Sequence, residues 1–103
     1  MGSVMYIVKA TIPPEREDEF NRWYDEIHIP ELLTFEGVIS GRRFKPLMGE
    51  DRWQYLAVYE FVDEAAWRRF MDSEHLKKLK ADYDRRFGDV SERGRFAYLQ
   101  IYP

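Results

Sequence analysis

A chain of 103 residues, 45% of them hydrophobic and 17% aromatic, has enough apolar surface for one core and no obvious point of division, so a single domain over residues 1–103 is expected. The net charge is −3, and the pairs Arg42-Arg43 and Arg68-Arg69 are interspersed with acids, which argues against nucleic acid as a partner. The absence of cysteine excludes disulfides, thiol catalysis and cysteine-held metals; no apolar run is long enough to cross a bilayer and no secretory leader pattern is present, so a cytoplasmic protein without a membrane partner is expected.

The run from Val4 to Ile12 is rich in β-branched and aromatic residues and reads as a strand stopped by Pro13-Pro14. Pro14 suits the first position of a helix, and Glu15, Glu17, Asp18 and Glu19 complement its positive end. Phe20, Trp23, Tyr24 and Ile27 then recur on one helical face, and Pro30, which biases Ile29 away from helical geometry, predicts an end near His28. Gly37 to Lys45 and Arg52 to Val62 read as two strands joined through Pro46 and Gly49-Glu50-Asp51, residues suited to a hairpin connection. Asp63 is placed to cap a helix carrying Ala66, Trp67, Phe70, Met71 and Leu79, which Asp72-Ser73 breaks into two pieces before Phe87. Gly88 and Gly94 bracket a loop, and Arg95 to Tyr102 is the last strand.

The order βαββαβ predicts an α+β, ferredoxin-like fold: a four-stranded antiparallel sheet with its helices on one face. In the third strand Trp53, Tyr55, Ala57, Tyr59 and Phe61 share one side while Leu56 and Val58 take the other; in the first, Met5 and Ile7 oppose Val4, Tyr6 and Val8. Both faces are thus apolar, and the helices cover only one. A second copy packed on the other face, giving a symmetric homodimer, is the expectation; the alternative is that central strands are simply apolar all round.

The residues from Phe20 to Phe44, FNRWYDEIHIPELLTFEGVISGRRF, together with this element order and FMDSEHLKKL in the second half, resemble the dimeric α+β barrel superfamily, and within it the EthD-like proteins. The resemblance spans nearly the whole chain. It implies two sheets facing each other across a dimer, with a small-molecule pocket between helices and sheet in each subunit. The activities it admits are those of a cyclase, isomerase, decarboxylase or cofactor-free monooxygenase acting on an aromatic, polyketide-like or lactone substrate; a non-catalytic metabolite-binding dimer, or an accessory to a catabolic oxidase, is the alternative.

His28 is the leading catalytic candidate. A helix C-terminus favours its protonated form, Asp25 and Glu31 are placed to raise its pKa further, and Tyr24 lies one turn earlier. The competing reading has His28 capping helix carbonyls and Tyr24 in the core. His75, in the second Asp-x-x-His pair, occupies a position comparable to that of His28, and the two pairs would supply a metal site only if they converged. The resemblance also implies a cyclase histidine near His75 with a tyrosine upstream, but the nearest upstream aromatic is Phe70 and the spacing differs by a residue. Trp23, Trp53, Tyr55, Tyr59 and Tyr98 are candidates for an apolar pocket in which Arg43 or Arg42 holds a carboxylate or phenolate, with core packing as the alternative. No glycine-rich phosphate loop, nucleophile elbow or zinc spacing is present, so nucleotide use is not expected and no cofactor is assigned, although the superfamily the chain resembles also includes haem-binding enzymes.

Overall fold

Alternation of apolar residues shapes the sheet as expected. The computed structural model describes residues 2–103. Its strands are β1 (Val4–Ala10), β2 (Val38–Phe44), β3 (Tyr55–Phe61) and β4 (Arg93–Leu99), joined in the order β2-β3-β1-β4 with every neighbouring pair antiparallel. Each expected strand is found, somewhat shorter than its apolar run; the last begins two residues earlier than expected, so Gly94 lies within it rather than in a loop. Gly94 suits that place because a side chain there would meet the Trp53 ring at 3.0 Å.

Val4, Tyr6, Val8 and Ala10 of β1 and Tyr55, Ala57, Tyr59 and Phe61 of β3 are buried under the helices. Helix α3 (Glu64–Met71) is capped by the Asp63 carboxylate, which accepts from the Ala66 N–H at 2.8 Å. Helix α4 (Glu74–Phe87) is capped by the Ser73 hydroxyl, which accepts from the Leu76 N–H at 3.0 Å. The expected break at Asp72-Ser73 is therefore real, and its cause is the second cap.

The first helical segment departs from expectation. It does not end at His28: after a 3₁₀ start at Pro14–Arg16 and helix α1 (Glu17–Trp23), a widened π-helical turn (Tyr24–His28) leads straight into α2 (Ile29–Leu32). Proline in a helix interior lacks an N–H and collides with the carbonyl four residues back. The widened turn shifts the ladder by one residue, so that the Ile29 N–H reaches the Tyr24 carbonyl and Pro30 falls in the first turn of the next helical piece.

The opposite sheet face carries Met5, Ile7, Leu56, Val58, Phe44, Phe96 and Tyr98, as their register with Lys9, Glu60 and Arg42 requires. Phe44, Phe96 and Tyr98 are 46%, 37% and 57% exposed. Trp53 belongs to this face too, half-buried against Gly94 below the Arg52 guanidinium. It therefore does not continue the Tyr55, Ala57, Tyr59, Phe61 row, because the strand begins only at Tyr55 and its two-residue period does not extend back to Trp53. Among the described residues, no helix is long and apolar enough to cross a membrane.

Candidate active site

Phe20, Trp23, Tyr24 and His28 fall on the buried side of the first helical segment, and the widened turn sets His28 against the aromatic core. Its imidazole stacks on the Trp23 indole at 4.5 Å between centroids and meets the Tyr24 ring edge-on at 4.9 Å. Trp23 is itself fixed, its Nε1–H donating to Asp82 Oδ2 on α4 at 3.1 Å. The histidine is thus held by packing, and it is only 7% exposed.

Beyond His28 a small cavity of about 20 Å³ lies between the helices and the sheet. That is room for about one water molecule. Its walls bring together His28 with Tyr6 of β1, Tyr59 of β3, Lys80 of α4, and Arg93 and Arg95 of β4. Tyr59 Oη and His28 Nδ1 are buried without a hydrogen-bond partner among the described residues, and Tyr6 Oη, buried too, has no close partner but lies near enough to the Arg95 guanidinium for it to favour the phenolate. Buried polar groups are ordinarily satisfied, and a single buried water in this cavity would serve these groups.

The electrostatics reverse the expectation for His28. Burial pushes its pKa down to about 4, the Arg93 guanidinium pushes in the same direction, and Asp82 opposes them. The imidazole is neutral near pH 7, a proton acceptor rather than a donor. Asp25 does not raise it: its exposed carboxylate faces outward and pairs with Arg43 at 3.1 Å. Burial also raises the Tyr6 and Tyr59 hydroxyls, with Arg95 and Arg93 opposing at Tyr6, so both phenols keep their protons. Lys80 is lowered by burial and then by Arg95 and Arg93, and Arg93 is lowered by burial and then by Arg95.

The other residues singled out in the sequence scatter. Tyr24 is buried beside His28 but not in the cavity lining; burial raises its hydroxyl, and Tyr83 raises it further. Arg43 sits over the Tyr24 and Tyr55 rings at 4.8 and 5.0 Å, donating to Asn21 Oδ1 at 2.8 Å as well as to Asp25. With Tyr55, whose hydroxyl donates to Glu17, it walls a separate groove on the outer side of α1 and β2. His75 is bonded through Nε2 to the Glu31 carbonyl at 3.1 Å, tying α4 to the end of α2. The two Asp-x-x-His pairs therefore do not converge, and among the described residues no three His, Asp or Glu side chains gather as metal ligands would. Tyr6, Lys80, Arg93 and Arg95 were not picked out in the sequence, and Tyr59 only as one aromatic among several. The one available signal was the placing of two arginines two apart in an otherwise apolar last strand, hence on one face of the sheet.

The order β2-β3-β1-β4 with helices over one face defines a ferredoxin-like α+β protein, with a small cavity between helices and sheet. The chain belongs to the family described as "Domain of unknown function (DUF4286)", which matches residues 3–93. No curated protein matches it. Among solved structures it is similar to an ethyl tert-butyl ether D (EthD) family protein from Bacillus halodurans C-125, with a TM-score of 0.72 at 14% identity over 98% of this chain and 100% of that one. A protein from Nitrosomonas europaea, provisionally assigned as an antibiotic biosynthesis monooxygenase, gives 0.70 at 12% identity over 100% and 95%. A dimeric protein of unknown function and ferredoxin-like fold from Bacteroides fragilis NCTC 9343 gives 0.67 at 15% identity over 97% and 98%. At these identities the likeness is one of fold, and it agrees with the resemblance to EthD-like proteins carried by residues 20–44.

Proposed function

We propose that this protein is a cofactor-independent enzyme acting on a small carbonyl compound of the aromatic, polyketide-like or lactone kind, with His28 as its proton acceptor. The observation that carries the reading is that His28, neutral and without a partner at Nδ1, lines one small cavity together with the protonated phenols of Tyr6 and Tyr59. In the reaction His28 Nδ1 takes a proton from the carbon next to the carbonyl. The electrons of the broken C–H bond pass to the carbonyl oxygen, and Tyr6 and Tyr59 donate hydrogen bonds to the enolate so formed. Return of the proton from His28 to another atom completes an isomerisation; attack of the enolate carbon on a second carbonyl, whose oxygen becomes an alkoxide and takes the proton back from His28, completes a cyclisation. Leu79 lines both the cavity and a wider groove outside, formed with Ile27, Glu31, His75, Lys78 and Asp82, so in this reading a substrate, too large for the cavity as it stands, sits in the groove and reaches His28 only with Leu79 displaced. Tyr24 and Trp23 act here as positioning residues. In the same reading the exposed apolar sheet face is covered by a second copy, as the dimeric state of the Bacteroides fragilis protein supports.

The test is deuterium wash-in from D₂O into a panel of aromatic ketones, β-keto acids and lactones, followed by proton NMR. The wild-type protein accelerates exchange at the carbon next to one carbonyl, and His28→Gln loses about a hundredfold or more of that rate while staying folded. Exchange that survives in His28→Gln defeats the reading. Bound compound with no exchange in either protein makes this a metabolite-binding protein instead.

A further inference from the structure

We infer that the substrate of this cavity is an anion, a carboxylate or phenolate whose oxygens are held by Arg93, Arg95 and Lys80. The inference rests on the reading of the His28 cavity as the site and adds the charge class of its ligand. Although the chain carries a net charge of −3, the lining of this cavity contains three cations and, among the described residues, no carboxylate. Arg93 has one ionic partner, the largely exposed Asp84 at 3.2 Å, and its guanidinium lies flat against the Tyr83 ring at 3.6 Å. Neither Arg95 nor Lys80 forms an ion pair among the described residues. Three cations that depress one another's proton affinity at a partly buried site are held against their mutual repulsion, and an anion placed among them relieves it.

The neutral groups agree. Tyr6 and Tyr59 each offer an O–H and lack a partner for it, which suits acceptor oxygens and leaves nothing to recognise a cationic group. Two arginines from one edge strand present planar forks of the kind that match a carboxylate. A bound anion also changes His28, because it offsets the Arg93 charge that helps to keep the imidazole neutral. The ligand that the cations capture thereby strengthens the base that acts on it.

Benzoate and benzamide serve as matched probes, alike in shape and differing in charge. With histidine-labelled protein followed by NMR near neutral pH, benzoate shifts the His28 resonances, moves its titration upward, and binds about tenfold or more tighter than benzamide. Arg95→Gln, at an exposed position, and Lys80→Gln, at a half-buried one, change side chains outside the core, and each weakens benzoate several-fold and leaves benzamide as it was. Equal affinity for the two probes, or benzoate binding indifferent to both variants, overturns the anion assignment while leaving His28 as the site if its resonances still move. Failure of either probe to perturb His28 overturns both readings together.

Discussion

Replacing His28 by Gln isolates the energetic cost of a buried, neutral histidine and tests the site's electrostatics without any substrate. An unfolded histidine titrates near 6.5, and in the folded chain burial and Arg93 move this one to about 4. Between those values the unfolded chain takes up a proton that the folded chain refuses, so stability is complete above pH 6.5 and declines as pH falls toward 4. Each pH unit in that window costs about 1.4 kcal/mol, and from pH 7 to pH 4.5 the loss is about 2 kcal/mol. That is a large share of the roughly 5–15 kcal/mol that typically stabilises a domain. Urea unfolding of both proteins, read by tryptophan fluorescence at several pH values, removes the carboxylate titrations common to both. The wild-type free energy should fall by about 2 kcal/mol more than that of His28→Gln over this range. Parallel curves would refute the buried neutral state. A wild type that gains on the variant as pH falls would restore the reading in which Asp25 and Glu31 hold the imidazolium.

Two further predictions test the fold around the site. Gly37 has φ +104°, and a methyl there would lie 2.7 Å from the Ala66 side chain, so Gly37→Ala combines backbone strain with a clash at the base of α3. A loss of about 2–4 kcal/mol is expected by chemical denaturation, and an unchanged midpoint would contradict it. Leu56→Glu puts a charge on the open sheet face near one end of β3, in register with Lys9 and Phe44. Sedimentation should give a dimer for the wild type and a folded monomer for the variant; a dimer that persists in the variant places the contact elsewhere.

The fold was readable because strand alternation and the Asp63 and Ser73 caps are local, and a strand's neighbours in sequence are enough to assign its faces. The first helix was misread for the same reason. The effect of Pro30 on Ile29 is a local rule, whereas the widened turn that accommodates it forms because Phe20, Trp23, His28, Ile29 and Leu32 all need the same core. The charge of His28 is opposite to the one its sequence neighbours suggest: Asp25 and Glu31 are near in sequence, but burial and Arg93, from the far end of the chain, decide its state. Tyr6 and Tyr59 look like ordinary core aromatics until the sheet pairs them across β1 and β3, leaving their hydroxyls at the cavity. Arg43 on β2 and Tyr55 at the start of β3 have the right chemistry for a ligand contact, but their places on the paired strands put them in a different groove.

The widened turn also fixes how this chain can change its length. Phe20 and Ile29 are both buried, yet nine residues of regular α-helix make about two and a half turns and would point them in opposite directions. The turn corrects that phase by holding one residue more than a plain helix would. Loss of one of its exposed members, Asp25, Glu26 or Ile27, would restore a regular ladder and bring a carbonyl against the Pro30 ring. Length and proline are therefore coupled: a chain one residue shorter here needs a different residue at Pro30, and a chain that keeps the proline needs the extra residue.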